Sequence, residues 1–255
     1  MHAGGCPIYV SDAPGKHDGK LLRTLVLPDG STLRAKLPGR PTRDCLFADV
    51  GSDGMSALKI WNQNKAGGGV VGAFHVQGVA WNYKTNENNV VQAAPPPIVT
   101  TVKPLDVESF RGLPGPFAAW SHRAETFHFL KDSESALNVQ LKHREWEIYT
   151  IVPVEISSSN NIMWGAVGLA NMLNSGGALL DIGKLKQDSS SRITTKFVSR
   201  GPGLFIAFTN RKPSEIRINN QKLEAFSHCE ESCKLSFVLP NETNGEAHRI
   251  TVVWD

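Results

Sequence analysis

Cysteine, net charge and long apolar runs are all scarce in this sequence, and each scarcity removes a class of protein. Four cysteines in 255 residues (Cys6, Cys45, Cys229 and Cys233) do not make a disulfide framework and fit free thiols in a reducing compartment. The string HCEESC at residues 228–233 has no second Cys/His pair at zinc-ligand spacing, so no metal is expected there. A formal net charge of +3 is too small to imply a nucleic acid or a membrane surface as partner. The first stretch is locally basic (Lys16, Lys20, Arg23, Arg34, Lys36, Arg40, Arg43), yet no aromatics interleave for base stacking. No apolar run reaches the roughly 20 residues that span a bilayer. Met1 is not followed by a basic and then an apolar segment, so the expected compartment is the cytosol. Gly67, Gly68 and Gly69 lack the following helix and lysine of a phosphate loop, and no cofactor is expected. No serine or cysteine is paired with a histidine at a recognisable spacing.

What is present divides into two zones. PIYV, residues 7–10, is short, apolar and partly β-branched, as in a strand buried on both faces of a parallel sheet. Asp18 predicts the cap of a short helix over residues 19–26, with Leu21, Leu22 and Leu25 on one face and Pro28-Asp29-Gly30 closing it. An irregular segment broken by Pro38-Gly39 and Pro41 follows. From about Ser56 the pattern is β throughout. ALKIWNQN and GGGVVGAFHVQGVAWN read as two strands joined across residues 65–67, and FAAWSHRAETFHFL as a hairpin turning near Ala124-Glu125. Leu137, Val139 and Leu141 alternate with polar residues, giving one dry and one wet face. Further strands are predicted in RITTKFVS, GLFIAFTN, SEIRINNQKL, KLSFVL and RITVVW. Turn residues separate them, among them Gly201-Pro202-Gly203, Asn219-Asn220, Asn241 and Gly245. Residues 86–97, with clustered asparagines and three prolines, read as an exposed loop. The fold class expected is mainly β. An antiparallel β-sandwich over residues 56–255 follows a terminal βα unit in residues 1–55 that belongs to a larger α/β domain.

Four strings carry a resemblance: GGCPIYVSDAPGKHD (residues 4–18), LVLPDGSTLRAKLPGRPTRDCLFAD (25–49), ALKIWNQNK (57–65) and GLANMLNSGGAL (168–179). Together they resemble the plant raffinose synthase and seed imbibition protein group, which includes the alkaline α-galactosidases and belongs to glycoside hydrolase family 36. The resemblance implies a catalytic (β/α)8 barrel followed by a β-sandwich, so that PIYVSD is the eighth barrel strand and HDGKLLRTL its outer helix. It implies retaining transfer of a galactosyl unit, from galactinol to sucrose in the synthases or to water in the α-galactosidases. Galactinol, sucrose or other galactosides are the partners expected of the full-length family.

Retaining transfer requires a nucleophilic carboxylate and a second as general acid/base, about 5–5.5 Å apart. In the family both aspartates lie on earlier barrel strands, and nothing here matches their motifs. No catalytic residue is therefore assigned in this chain, which is expected to be a fragment without turnover of its own. Ser11 and Asp12, at the C-terminal end of the expected strand, are the candidate substrate-facing residues, the other reading being hydrogen bonds that shape the Pro14-Gly15 turn. Arg40 and Arg43 are expected to pin the junction between barrel and sandwich, with Asp44 as partner. Most of the six tryptophans are expected in the core rather than stacked on sugar. The alternatives are an α-galactosidase fragment, or a sugar-binding or structural sandwich without catalysis. Synthase and hydrolase are not separated by these residues.

Overall fold

A computed structural model describes residues 10–241 and 247–255. The expected strand at residues 7–10 and the turn residue Gly245 fall wholly or almost wholly outside these described residues. Asp18 caps helix α1 (Gly19–Arg23), its carboxylate accepting from the N–H groups of Lys20 and Leu21 at 3.0 Å each. The helix is shorter than its leucine spacing predicts. Leu25 is buried beyond its end, whereas Leu21 stays 46% exposed.

Strand order along the chain begins with β1 (Arg40–Pro41), β2 (Leu58–Gln63), β3 (Gly69–Phe74), β4 (Val79–Asn82), β5 (Glu87–Val90), β6 (Ile98–Val102) and β7 (Phe117–Ser121). Next come β8 (Thr126–Leu130), β9 (Leu137–Leu141), β10 (Trp146–Pro153), β11 (Glu155–Ile156), β12 (Met163–Leu169), β13 (Leu179–Ile182) and β14 (Lys186–Gln187). The last are β15 (Ile193–Ser199), β16 (Gly203–Thr209), β17 (Glu215–Ile218), β18 (Gln221–Lys222), β19 (Ser227–Cys229), β20 (Lys234–Leu239) and β21 (His248–Trp254).

These strands form a six-stranded sheet in the order β1-β2-β3-β10-β7-β8, a five-stranded sheet β11-β12-β16-β20-β19, and a second six-stranded sheet β13-β15-β21-β17-β18 in which β14 also pairs with β15. Two-stranded pairs, β4-β5 and β6-β9, complete the set. Every strand pairing among the described residues is antiparallel. The chain is thus mainly β.

A two-layer sandwich is too simple a description. One face of the first sheet (Val71, Ala73, Phe117, Ala119, Ile151) packs against Ile98 and Val102 of β6 and Val139 and Leu141 of β9. Its opposite face (Ala118, Trp120, Val152) meets Val167, Ile206 and Phe208 of the second sheet. The second sheet then turns Trp164, Phe205, Ala207 and Phe237 to Phe197, Ile216, Ile250 and Trp254 of the third. Sheets covered on both faces need apolar residues at consecutive positions, which is why FAAWS and VVGAF read as runs rather than alternations. The third core is organised by aromatic stacking, with Phe205 at 5.0 Å from both Phe197 and Phe237.

Two expectations are corrected. GGGVVGAFHVQGVAWN is not one strand: β3 ends at Phe74, and β4 starts a separate hairpin after Gly78, whose φ is +107°. Residues 86–97 are exposed in large part, but they contain β5, which pairs with β4 in register Trp81↔Asn88. The hairpin β7-β8 turns at Glu125 (φ +52°), and β17-β18 at Asn219 and Asn220 (φ +51° and +66°), both where the sequence places them.

The irregular segment before β2 is fastened to the sheets. Leu27 and Leu33 sit in the core between the second and third sheets. Leu25 packs with Val70, Ile148 and Leu173. Backbone bonds from Leu173 to Thr24 and from Lys36 to Gln63 fix its path.

Candidate functional site

Ser11 and Asp12 lie in an exposed loop that precedes α1. Asp12 Oδ2 is 3.5 Å from His17 Nδ1, with both side chains about half exposed. The Pro14-Gly15 turn closes through the Lys16 N–H donating to the Ala13 carbonyl, with Gly15 at φ +77°. Among the described residues neither Ser11 nor Asp12 makes a side-chain hydrogen bond or ion pair to the sheets. The loop can offer a carboxylate and a hydroxyl to a ligand.

A charge cluster lies elsewhere, around Lys59 on β2. Period-2 burial turns this lysine inward, leaving it 1% exposed. Its ammonium is 2.7 Å from Asp44 Oδ2 and 3.0 Å from Asp106 Oδ2, and it donates to the Thr101 carbonyl at 2.7 Å. Three donors thus meet three oxygens, which satisfies the buried cation. Burial pushes the Asp106 carboxyl up, against the ammonium and the Lys103 N–H that favour its ionised form. Asp44 is less buried, and although burial pushes it up, hydrogen bonds from Lys59 and Thr42 hold it below the usual carboxylate range. Two carboxylates lie close together, but an ammonium occupies the space between them. A retaining pair needs its sugar there.

The arginines expected to pin this junction have other partners than foreseen. Arg43 pairs with Glu108 at 3.2 Å rather than with Asp44, and Arg40 lies over the Trp61 ring at 5.8 Å. Thr42, fully buried, donates its hydroxyl to Asp44 at 2.5 Å and its N–H to the Lys59 carbonyl. The string LPGRPTRDCLF therefore reads as a clamp between β1, β2 and the turn Pro104–Asp106. Sequence reading passed over Lys59 itself. The available signal was Trp61, an aromatic two residues on and therefore on the same face of the strand as Lys59.

GLANMLNSGGAL has an equally structural explanation. Gly168 forms a bulge where the β12-β16 register shifts, at φ +120°, and a Cβ there would meet the Ser175 carbonyl oxygen at 2.0 Å. A Cβ on Gly177 would come within 2.9 Å of Leu33, and Asn174 donates to the Leu33 carbonyl at 2.9 Å. The motif lets the N-terminal segment lie against the turn Ser175–Ala178.

Of the tryptophans, Trp61, Trp120, Trp164 and Trp254 are buried, as expected of core residues, whereas Trp81 on β4 is 49% exposed. Tyr83, just beyond that strand, is 85% exposed. In HCEESC, the His228 ring meets the Thr209 carbonyl at 3.0 Å, and Cys229 and Cys233 are free thiols.

Fold and motifs define a β-rich region of stacked antiparallel sheets, with a preceding segment fastened to it by backbone hydrogen bonds and a buried ion cluster. Its sequence matches the family model described as raffinose synthase or seed imbibition protein Sip1 over residues 2–239, and the chain belongs to that family. It is 36% identical over 241 residues to "Probable galactinol–sucrose galactosyltransferase 6" of Arabidopsis thaliana, covering 92% of this chain and 31% of that protein. It is 38% identical over 259 residues to "Probable galactinol–sucrose galactosyltransferase 1" of the same plant, covering 99% and 33%. To the galactinol–sucrose galactosyltransferase of Oryza sativa subsp. japonica it is 38% identical over 224 residues, covering 86% and 28%. The chain spans about a third of the length of these relatives.

Proposed function

We propose that this chain serves galactosyl transfer from galactinol to sucrose, as the sandwich-bearing part of a raffinose synthase-type protein. The observation that carries the proposal is the family match across residues 2–239, together with relatives whose names state that activity. In this reading residues 1–55 include the end of a (β/α)8 barrel, and residues 56–255 are the domain that braces it. Ser11 and Asp12 face substrate from the barrel rim, where barrel enzymes build their sites. The nucleophile and general acid/base belong to preceding barrel strands, so the chain alone gives no turnover. Hydrolysis in place of transfer is the same chemistry with water as acceptor.

The test is a chimera in which this chain replaces the matching third of the rice relative, assayed with galactinol and sucrose by chromatography of the products. Raffinose formation in the chimera and none from the chain alone is the expected result. A chimera that folds and makes no raffinose would count against the assignment, and release of free galactose in its place would mark a hydrolase. Turnover by the isolated chain that disappears in Asp12→Asn would place a catalytic carboxylate where none is proposed.

A second reading, a sugar-binding module without turnover, is favoured by one observation: Trp81 and Tyr83 are exposed on the β4-β5 hairpin. It requires saturable galactoside binding by the chain that is lost in Trp81→Ala.

A further inference from the structure

Away from the Ser11–Asp12 loop and the Lys59 cluster, a crevice of about 560 Å³ opens between the turn after Leu27, the β2-β3 turn and the start of β13. Three cationic side chains line it: Arg34, Lys65 and Arg200. Among the described residues none of the three forms an ion pair with a carboxylate. Arg200 comes from the end of β15 and is held in place by donating from Nη2 to the Thr32 carbonyl at 2.6 Å. Its Nε is buried without a hydrogen-bond partner. An atom enclosed in this way cannot itself meet a ligand, so Arg200 faces the crevice through the rest of its guanidinium.

The local charge balance agrees. Asp29 is the acidic residue of the neighbouring turn; its carboxylate accepts from the Ser31 N–H at 2.9 Å and the Ser31 hydroxyl at 2.7 Å and is also stabilised by the charge of Arg200, leaving Arg34 and Lys65 without a carboxylate partner among the described residues. One carboxylate against three cations leaves the crevice positive, and gathering like charges costs free energy that an anionic ligand would offset. Thr32 adds a hydroxyl to the lining, and Leu179 and Leu180 supply an apolar wall. The volume suits one small molecule rather than a polymer.

We infer that this crevice binds a phosphorylated small molecule, with Arg200, Arg34 and Lys65 contacting the phosphoryl oxygens and the rest of the ligand lying along Leu179 and Leu180. Planar guanidinium forks match phosphate oxygens in pairs, while the lysine adds a point charge. The inference is independent of galactosyl transfer, because it uses none of the residues assigned to that function.

The test is calorimetric titration of the full chain with inorganic pyrophosphate and with glucose 1-phosphate, glucose being the uncharged control. Saturable binding of both anions and none of glucose is expected. Neither Arg34 nor Lys65 makes an ion pair among the described residues and both are exposed, so the Arg34→Gln/Lys65→Gln double variant keeps the fold, as its thermal unfolding would verify. Affinity for pyrophosphate should fall about tenfold or more, since each charge-assisted hydrogen bond contributes on that scale. Arg200→Lys keeps the charge but loses the fork, and should weaken binding by a smaller factor. Absence of binding up to about 10 mM, well above the weakest specific range, would overturn the inference. So would equal binding of glucose, or a double variant that binds as the parent does.

Discussion

Replacing Lys59 by methionine isolates the buried ion cluster. The substitution keeps the length of the apolar stem on β2 and removes the ammonium that lies within 3.0 Å of Asp44 and Asp106. Asp44, about half exposed, recovers hydration, but Asp106 has a side chain only 13% exposed and is left without its counterion, so it must either bear a buried charge or take up a proton. Breaking a buried pair by removing one partner typically costs about 3–5 kcal/mol. The Thr101 carbonyl also loses its donor, whose cost lies within the same range because relaxation around the site is shared. For a chain of this size about 1 kcal/mol moves the unfolding midpoint by roughly 2–4 °C, so the expected fall is about 6–20 °C. Differential scanning calorimetry of the parent and variant measures it. The decisive comparison is Lys59→Met/Asp106→Asn, which removes the orphaned charge and keeps an oxygen to accept from the Lys103 N–H. That double variant should regain more than half of the loss. A single variant within about 1 kcal/mol of the parent, or a double variant worse than the single, would refute the reasoning that an uncompensated carboxylate dominates the cost.

Gly168→Ala should cost at least about 2 kcal/mol by denaturant unfolding, since the left-handed backbone and the Ser175 carbonyl both oppose a methyl group; a neutral result would show that the bulge can move aside. Asp53 accepts from the N–H groups of Met55 and Ser56 and from Gln77. Although its slight burial pushes the carboxyl up, the hydrogen bonds from Ser56, Met55 and Gln77 hold it at about 2. A depressed carboxylate contributes stability fully above its unfolded value of 3.8 and loses it as pH falls through about 2. The stability gap between the parent and Asp53→Asn should therefore narrow between these two pH values, and a gap independent of pH there would contradict the assignment.

Residues 116–130 show how far local pattern reaches. Their apolar runs and the polar turn near Glu125 give β7, β8 and their hairpin without reference to anything distant, because a hairpin is closed by its own turn chemistry. Asp18 likewise announces α1 through one carboxylate and two nearby N–H groups. Family membership was legible for a related reason: LPGRPTRDCLF and GLANMLNSGGAL are constrained residue by residue, through Thr42, Asp44 and Gly168, so the strings themselves are distinctive.

What only the tertiary structure decided is which faces meet. FAAWS reads as a strand from its own residues, but that Ala118 and Trp120 face the second sheet while Phe117 and Ala119 face the β6-β9 pair follows from layers contributed by residues far along the chain. Asp44 stands one residue from Arg43 in sequence, yet its cation is Lys59, because β1-β2 pairing brings that ammonium inward and burial makes ion pairing there obligatory. Arg200 and Lys65 are separated by the whole middle of the sequence and share one crevice through sheet stacking alone. Local hydrogen bonds and side-chain alternation are written in consecutive residues. Charge compensation and layer contacts depend on distances that exist only once the sheets have packed.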